Sequence, residues 1–175
     1  MSAPTIRAEI RPAVTDDLPQ ILKIERRAAA AFAAIGYPEI AAGAEMPLAL
    51  FEAGLEDGLL WVATDAADRP LGYALAAMID GFFYLEDISV DPDHQRRGIG
   101  DALVMQVIDH AKFLYCPALV LSTLEAAPWS SALYRKHGFL AADMDRLPGA
   151  IVERFDAETA LGLPAQGRMI MVKRL

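Results

Sequence analysis

The strongest chemical signal in the chain is six residues long: Gln95-Arg96-Arg97-Gly98-Ile99-Gly100. Before it, Phe82 to Val90 is rich in aromatic and β-branched residues and predicts a strand, apolar on both faces at its start and therefore central, that ends at Asp91-Pro92. After it, Leu103, Val104, Val107, Ile108, Ala111 and Leu114 make one face of an amphipathic helix. A glycine-punctuated loop between a central strand and a helix N-terminus suits phosphate, because the first-turn N–H groups lack partners and the helix dipole is positive there. Gly98 and Gly100 let backbone approach an anion, and Arg96 and Arg97 add charge. Gly-x-Gly also occurs in plain tight connections, and neither GxxxxGK[ST] nor GxGxxG is present here. Two carboxylates, Glu86 and Asp87, stand late in the same strand, where desolvation raises a carboxyl pKa and makes a usable general base. Strict alternation puts Glu86 on the face of Ile88 and Val90, and a bulge would exchange the faces of the two acids.

The surrounding segments predict how these groups are held. Thr5 to Arg11 alternates as a first strand closed by Pro12. Thr15 is the expected N-cap of a helix with apolar residues from Leu18 to Ala29, running to about Phe32. Gly36-Tyr37-Pro38 breaks it, Ala41 to Met46 reads as loop, and a second helix spans about Pro47 to Asp57-Gly58. Leu59 to Thr64 and Leu71 to Ile79 read as strands, with Gly72 marking a bulge or a close approach, and Asp80-Gly81 as a hairpin turn into the central strand. Pro117 to Thr123 is a further strand, parallel to the central one because a helix connects them. Pro128 to Phe139 predicts a short helix, with Pro128 in its first turn, Gly138 at its end and Ser130 and Tyr134 one turn apart. In the tail, Leu140 to Met144 reads as a strand, Ala150 to Leu161 as a helix carrying Glu153, Asp156 and Glu158, and Arg168 to Lys173 as the last strand.

The predicted fold class is therefore α/β (α+β): a mixed, mostly antiparallel sheet with one parallel pair and helices on both faces. With 175 residues, 54% hydrophobic, and no shift in composition, residues 1–175 read as a single domain. The 16 Lys and Arg against 24 Asp and Glu, a net charge of −8, argue against nucleic acid or an anionic membrane as partner and favour a cationic one. The single cysteine, Cys116, reads as a small apolar residue and excludes an internal disulfide. No run is long enough to span a bilayer, and MSAPTIRAEIRP lacks a signal-peptide pattern, so the expectation is a soluble, cytoplasmic protein. His94, His110 and His137 have no ligand-like spacing, and no metal is expected.

Gln95 to Gly100 resembles the Q/R-x-x-G-x-G/A acyl-CoA pyrophosphate loop of the GNAT superfamily of N-acetyltransferases, and Val90-Asp91-Pro92 is a common lead into that loop. Ala132-Leu133-Tyr134-Arg135-Lys136-His137-Gly138-Phe139 is similar to the superfamily's A-x-x-x-Y-x-x-x-G-F segment. The resemblance implies acetyl-CoA as cosubstrate, with the central and following strands splayed to admit the pantetheine arm. It implies cofactor contacts from Ile88, Ser89, Val90, Gln95, Arg96, Arg97, Gly98, Ile99, Gly100, Asp101, Ser130 and Tyr134. Tyr134 would protonate the leaving thiolate, and the Ile88 N–H would polarise the carbonyl. An amine acceptor must first lose a proton, for which Glu86 ranks ahead of Asp87, with Glu125 behind. The first two helices would wall the acceptor site, with Phe32, Tyr37, Glu39, Glu45, Tyr84 and Glu86 as candidate contacts. One departure stands out. The superfamily often carries an Asn before the tyrosine helix, where this chain has Glu125-Ala126-Ala127-Pro128, and Ser130 is the nearest replacement. The implied activity is acetyl transfer to a primary amine of a small molecule; acetylation of protein N-termini or lysines, and a non-catalytic CoA sensor, are the alternatives. A homodimer is compatible with the sequence.

Overall fold

The computed structural model describes residues 8–42 and 46–175. Its seven-stranded sheet runs in the order β1-β2-β3-β4-β5-β7-β6, which puts β4 (Phe82–Val90) in the middle, as its two apolar faces predict. β1 (Glu9–Pro12) is an edge strand, antiparallel to β2 (Leu60–Thr64). Pro12 pairs with Trp61 as the last residue of β1 rather than lying beyond it, which an edge strand tolerates because the missing N–H faces no partner. Of the expected first strand, Thr5, Ile6 and Arg7 fall outside the described residues.

The first helix starts differently from expectation. Thr15 makes no cap; Asp17 accepts the Val14 N–H at 2.9 Å, and the Arg11 guanidinium grips both Asp17 oxygens at 2.7 and 3.1 Å. Burial pushes the Asp17 carboxyl up, but these donors more than reverse the shift and hold it below its ordinary value. A single 3₁₀ turn (Thr15–Asp17) then leads into α1 (Leu18–Ala29), whose Ile21 and Ile24 are fully buried, and a second 3₁₀ stretch carries the chain to Ile35. A single helical turn, α2 (Pro38–Ala41), follows the break at Gly36-Tyr37 and ends where the segment read as loop begins. α3 (Leu48–Asp57) ends at Gly58 with φ +70°, the left-handed terminus that glycine favours.

β3 (Pro70–Ile79) is antiparallel to β2 and passes to β4 through Asp80 and Gly81, both at positive φ as a primed hairpin turn requires. Gly72 marks a close approach: a Cβ there would lie 3.0 Å from the Ser89 carbonyl and 3.2 Å from Val90. α4 (Ile99–Phe113) buries Leu103, Val104, Val107, Ile108 and Ala111 against one face of the sheet. Leu114 lies past its end and is exposed, and Cys116 fills the buried place instead. β5 (Ala118–Leu124) is parallel to β4, and α5 (Pro128–Lys136) follows it, ending before Gly138 at φ +84°. The strand expected over Leu140 to Met144 shrinks to β6 (Leu140–Ala141), because Asp143 takes the Asp145 N–H and turns the chain into 3₁₀. α6 (Gly149–Ala160) and β7 (Arg168–Arg174), antiparallel to β5, complete the chain.

Two separate packing units cover the face opposite α4. α1 and α3 pack on β2 and β3 through Phe51, Leu60, Val62, Tyr73 and Leu75, while α6 packs on β4, β5 and β7 through Ile151, Tyr84, Val120 and Ile170. Between them runs a cleft.

α6 is tied down by a buried carboxylate. Glu158, 4% exposed, accepts from the Tyr84 hydroxyl at 2.6 Å, from the Ser122 hydroxyl, and from Arg168 at 2.7 Å. Removing one member of a buried ion pair strands the other, so Glu158→Ala is expected to cost about 3–5 kcal/mol in urea unfolding. Glu153→Ala, at an exposed position on the same helix, should stay within about 0.5 kcal/mol.

Candidate active site

The register of β4 decides what the cleft contains. Asp87 pairs with Leu75 and Leu85 with Ala76, so Glu86 is the extra residue of a β-bulge. Leu85, Ile88 and Val90 face α4, whereas Tyr84, Glu86 and Asp87 face the cleft side. The expectation from strict alternation, that Glu86 shares a face with Ile88 and Val90, is thus overturned. Instead of exchanging the two acids, the bulge puts both on one side.

The parallel pair opens where expected. β4 and β5 are in register at Phe83–Leu119, Tyr84–Val120 and Leu85–Leu121, and there the pairing stops. Beyond it β4 continues against β3 to Val90 and β5 against β7 to Leu124, so their inner edges diverge unpaired. The loop after β4 begins with Asp91, which accepts the Asp93 N–H at 3.0 Å and starts a single 3₁₀ turn. Gln95 donates its side-chain amide to the Val90 carbonyl at 3.0 Å. Arg96 and Gly98 take positive φ, +61° and +86°. Gly98 precedes α4 and supplies no side-chain cap, so the N–H groups of Ile99, Gly100 and Asp101 are left to an outside acceptor. Nothing lies within 4 Å of where a Gly98 Cβ would stand, so the approach is open. The loop fits a diphosphate on these grounds.

Some expected cofactor residues have other engagements. Gly100 faces α5, where an added Cβ would touch Leu133 at 3.4 Å. The Asp101 carboxylate bonds His137 at 2.9 Å and Lys136 at 2.7 Å, fastening α4 to α5 and leaving only its N–H for a ligand. Ile99 is buried, and Ile88 and Val90 pack against the α4-side core, so they too offer backbone alone. The Ile88 N–H, the expected carbonyl donor, lies on the Asp87 carboxylate. Ser130 lines the cleft but shares its hydroxyl with Thr123 at 2.9 Å and the Ala127 carbonyl at 3.0 Å.

The cleft, about 190 Å³, brings together Glu86, Asp87, Ser89, Ser130, Tyr134 and Phe32 from the expected set. Tyr134 belongs to the α4-side core and reaches the cleft on the opposite face, so its ring passes through the gap between the parted strands. Its hydroxyl has no hydrogen-bond partner among the described residues. Burial, then the Asp87 charge, hold this phenol well above its ordinary pKa, so it stays protonated at neutral pH. The two acids differ. Glu86 is held by Arg154 of α6, Nε to Oε1 at 3.0 Å with a second contact from the other guanidinium nitrogen; burial pushes its carboxyl up and the arginine opposes this. Asp87 has no cation beside it among the described residues. Its donors are the Tyr73 hydroxyl, in a short hydrogen bond, the Ile88 N–H, and Ser89 Oγ at 3.4 Å, and burial leaves its carboxyl above the ordinary value.

Other expected contacts fall elsewhere. Tyr84 is fully buried with its hydroxyl on Glu158, beneath the cleft. Tyr37 packs beside Phe32 without joining the lining, Glu39 and Glu125 are exposed away from it, and Glu45 is outside the described residues. Residues that sequence reasoning missed include Tyr73, Glu25 and Ser122, and from the tail Arg154, Glu158 and Arg168. Glu158 carried a signal: with Ile151 and Phe155 it falls at i, i+4, i+7, a carboxylate on an apolar helix face.

A sheet whose central parallel pair parts over an uncapped helix N-terminus defines a protein built to hold a long, phosphate-bearing ligand between two strands. The family model described as "Acetyltransferase (GNAT) family" matches residues 22–139, and the chain belongs to that family. It is 32% identical over 127 residues to GCN5-related N-acetyltransferase 1, chloroplastic, of Arabidopsis thaliana, a match covering 70% of this chain and 59% of that one. The fold is similar to N-acetylglutamate synthase from Neisseria gonorrhoeae complexed with coenzyme A and N-acetyl-glutamate, with TM-score 0.72, 20% identity, and coverage of 99% of this chain and 36% of that one. It is also similar to a phosphinothricin acetyltransferase from Sinorhizobium meliloti in complex with AcCoA, with TM-score 0.69, 22% identity, and coverage of 97% and 89%. The chain thus spans under two thirds of the plant relative and about a third of the synthase. The expected family and fold class are borne out.

Since Tyr73 donates to Asp87 and lowers its pKa, Tyr73→Phe is expected to raise the Asp87 pKa further above the ordinary range. Carboxyl-carbon NMR titration of the two proteins checks the direction.

Proposed function

We propose that the protein is an acetyl-CoA-dependent N-acetyltransferase acting on a small cationic primary amine. The observation that carries this reading is the meeting, at the mouth of the β4–β5 gap, of an uncapped helix N-terminus, a protonated tyrosine and a cation-free carboxylate. Bound acetyl-CoA supplies the acetyl group as an activated thioester. The N–H groups at the start of α4, with Arg96 and Arg97 close by in the chain, hold the diphosphate. The unpaired β4 edge beyond Leu85 offers backbone partners to an extended arm.

Asp87 is the base in this reading, reversing the expected preference for Glu86. An incoming ammonium ion can give its proton only to a carboxylate that is ionised and within reach. Glu86 is spent on Arg154, whereas Asp87 is braced by neutral donors. Tyr134, kept neutral by its surroundings, donates a proton to the departing thiolate. On the lining Glu86 and Glu158 are matched by Arg154 and Arg168, and Asp87 adds a further carboxylate that draws a cation. The small volume of the cleft favours a small acceptor over a protein segment.

The sign of the pH dependence follows. Asp87 must be ionised to accept a proton, so kcat/KM rises with pH through a pKa above the ordinary carboxylate value. With acetyl-CoA and a panel of small amines, Asp87→Asn is expected to lower kcat/KM about 10²–10³-fold and abolish that acid limb, and Tyr134→Phe to lower kcat about 10²-fold. Glu86→Gln should lower stability through its stranded arginine and keep the acid limb. A limb that survives in Asp87→Asn and vanishes in Glu86→Gln would reverse the assignment, and coenzyme A binding with no turnover for any amine would make the chain a sensor instead.

A further inference from the structure

α1 touches both halves of the site. Glu25 and Ala29 on this helix line the cleft, while Arg27 turns to the loop after β4. Its two terminal nitrogens span two carboxylates: one meets Asp91 Oδ2 at 2.6 Å, the other Asp93 Oδ2 at 2.8 Å. Asp91 is 3% exposed, and the partners of its other oxygen are the Asp93 N–H at 3.0 Å and His94 at 3.6 Å. A buried carboxylate of this kind depends on its cation. The remaining ties at the entrance of the loop come from the sheet and from the loop itself, namely the Asp91 N–H on the Leu71 carbonyl at 2.8 Å and Gln95 on the Val90 carbonyl. Arg27 alone among these ties reaches across from the helix that walls the acceptor side.

We infer that Arg27 is a positioning residue for the cofactor loop: by clamping Asp91 and Asp93 it holds the turn that aims residues 95–100 at a diphosphate. This rests on the reading of that loop as the coenzyme A site. Arg27 acts through the two aspartates, and the benefit is pre-organisation, since a loop already in its bound shape spends none of the ligand's affinity on ordering.

Substituting Asp93 separates this role from simple attraction of charge. Asp93 is exposed, so its loss strands no buried group, and removing a negative charge near an anion site would by itself tighten coenzyme A. A clamp predicts the opposite sign. In calorimetric titration of coenzyme A, Asp93→Asn is expected to weaken binding about threefold and Arg27→Met about tenfold, with Arg27→Lys between wild type and Arg27→Met. Arg11→Met breaks a similar two-carboxylate clamp, on Asp17 and Asp68, and should lower stability while leaving coenzyme A affinity as in wild type. Unchanged or tighter binding by Asp93→Asn, or equal losses in Arg11→Met and Arg27→Met, would overturn the inference while the coenzyme A site stands. Wild-type protein that binds no coenzyme A would overturn both.

Discussion

β4 and β5 part because each is already committed on its outer side. β4 is held by β3 as far as Val90, and β5 by β7 as far as Leu124, while the two share only three register positions. Past Leu85 and Leu121 the backbone groups on the inner edges have no strand to bond, and buried backbone groups do not stay unpaired without cost. The fold thus keeps open a vacancy of the length and polarity of an extended chain. Tyr134 crosses that opening from one layer to the other, and the loop at its far end presents N–H groups with no internal acceptor.

Charge around the cleft is arranged by the same logic of pairing. Glu158 with Arg168, and Glu86 with Arg154, are compensated pairs at low exposure, and both involve α6. They hold the C-terminal part of the chain against the open strands, and residues 140–175 lie beyond the segment that the family model matches. Asp87 meets only neutral donors among the described residues, which suits the proton acceptor proposed for it. The different surroundings of two adjacent acids therefore come from a helix some sixty-eight residues further along the chain.

Much of the architecture was legible because local chemistry and tertiary need agreed. Asp80-Gly81 can make the tight turn they make, Gly58 and Gly138 end helices where a left-handed residue is required, and the apolar spacing of α4 meets the sheet as expected. The loop string at 95–100 was legible for the same reason, since only glycine at position 98 takes φ +86° without strain. Expectations failed where a distant side chain outbid a local one. Asp17 replaced Thr15 at the first helix because Arg11 and the Val14 N–H converge on it. Asp101 turned from the anion loop to Lys136 and His137.

The order of the main strands and helices, the glycine-punctuated loop and the candidate tyrosine were determined by the sequence alone, because turn residues, periodicity and a glycine at a positive φ act within a few neighbours. Which carboxylate keeps its freedom, which helix closes the cleft and what steadies the loop were decided only in three dimensions. The bulge at Glu86 depends on the partner strand, and the ion pairs of Arg154, Arg168 and Arg27 join residues that no local pattern brings together.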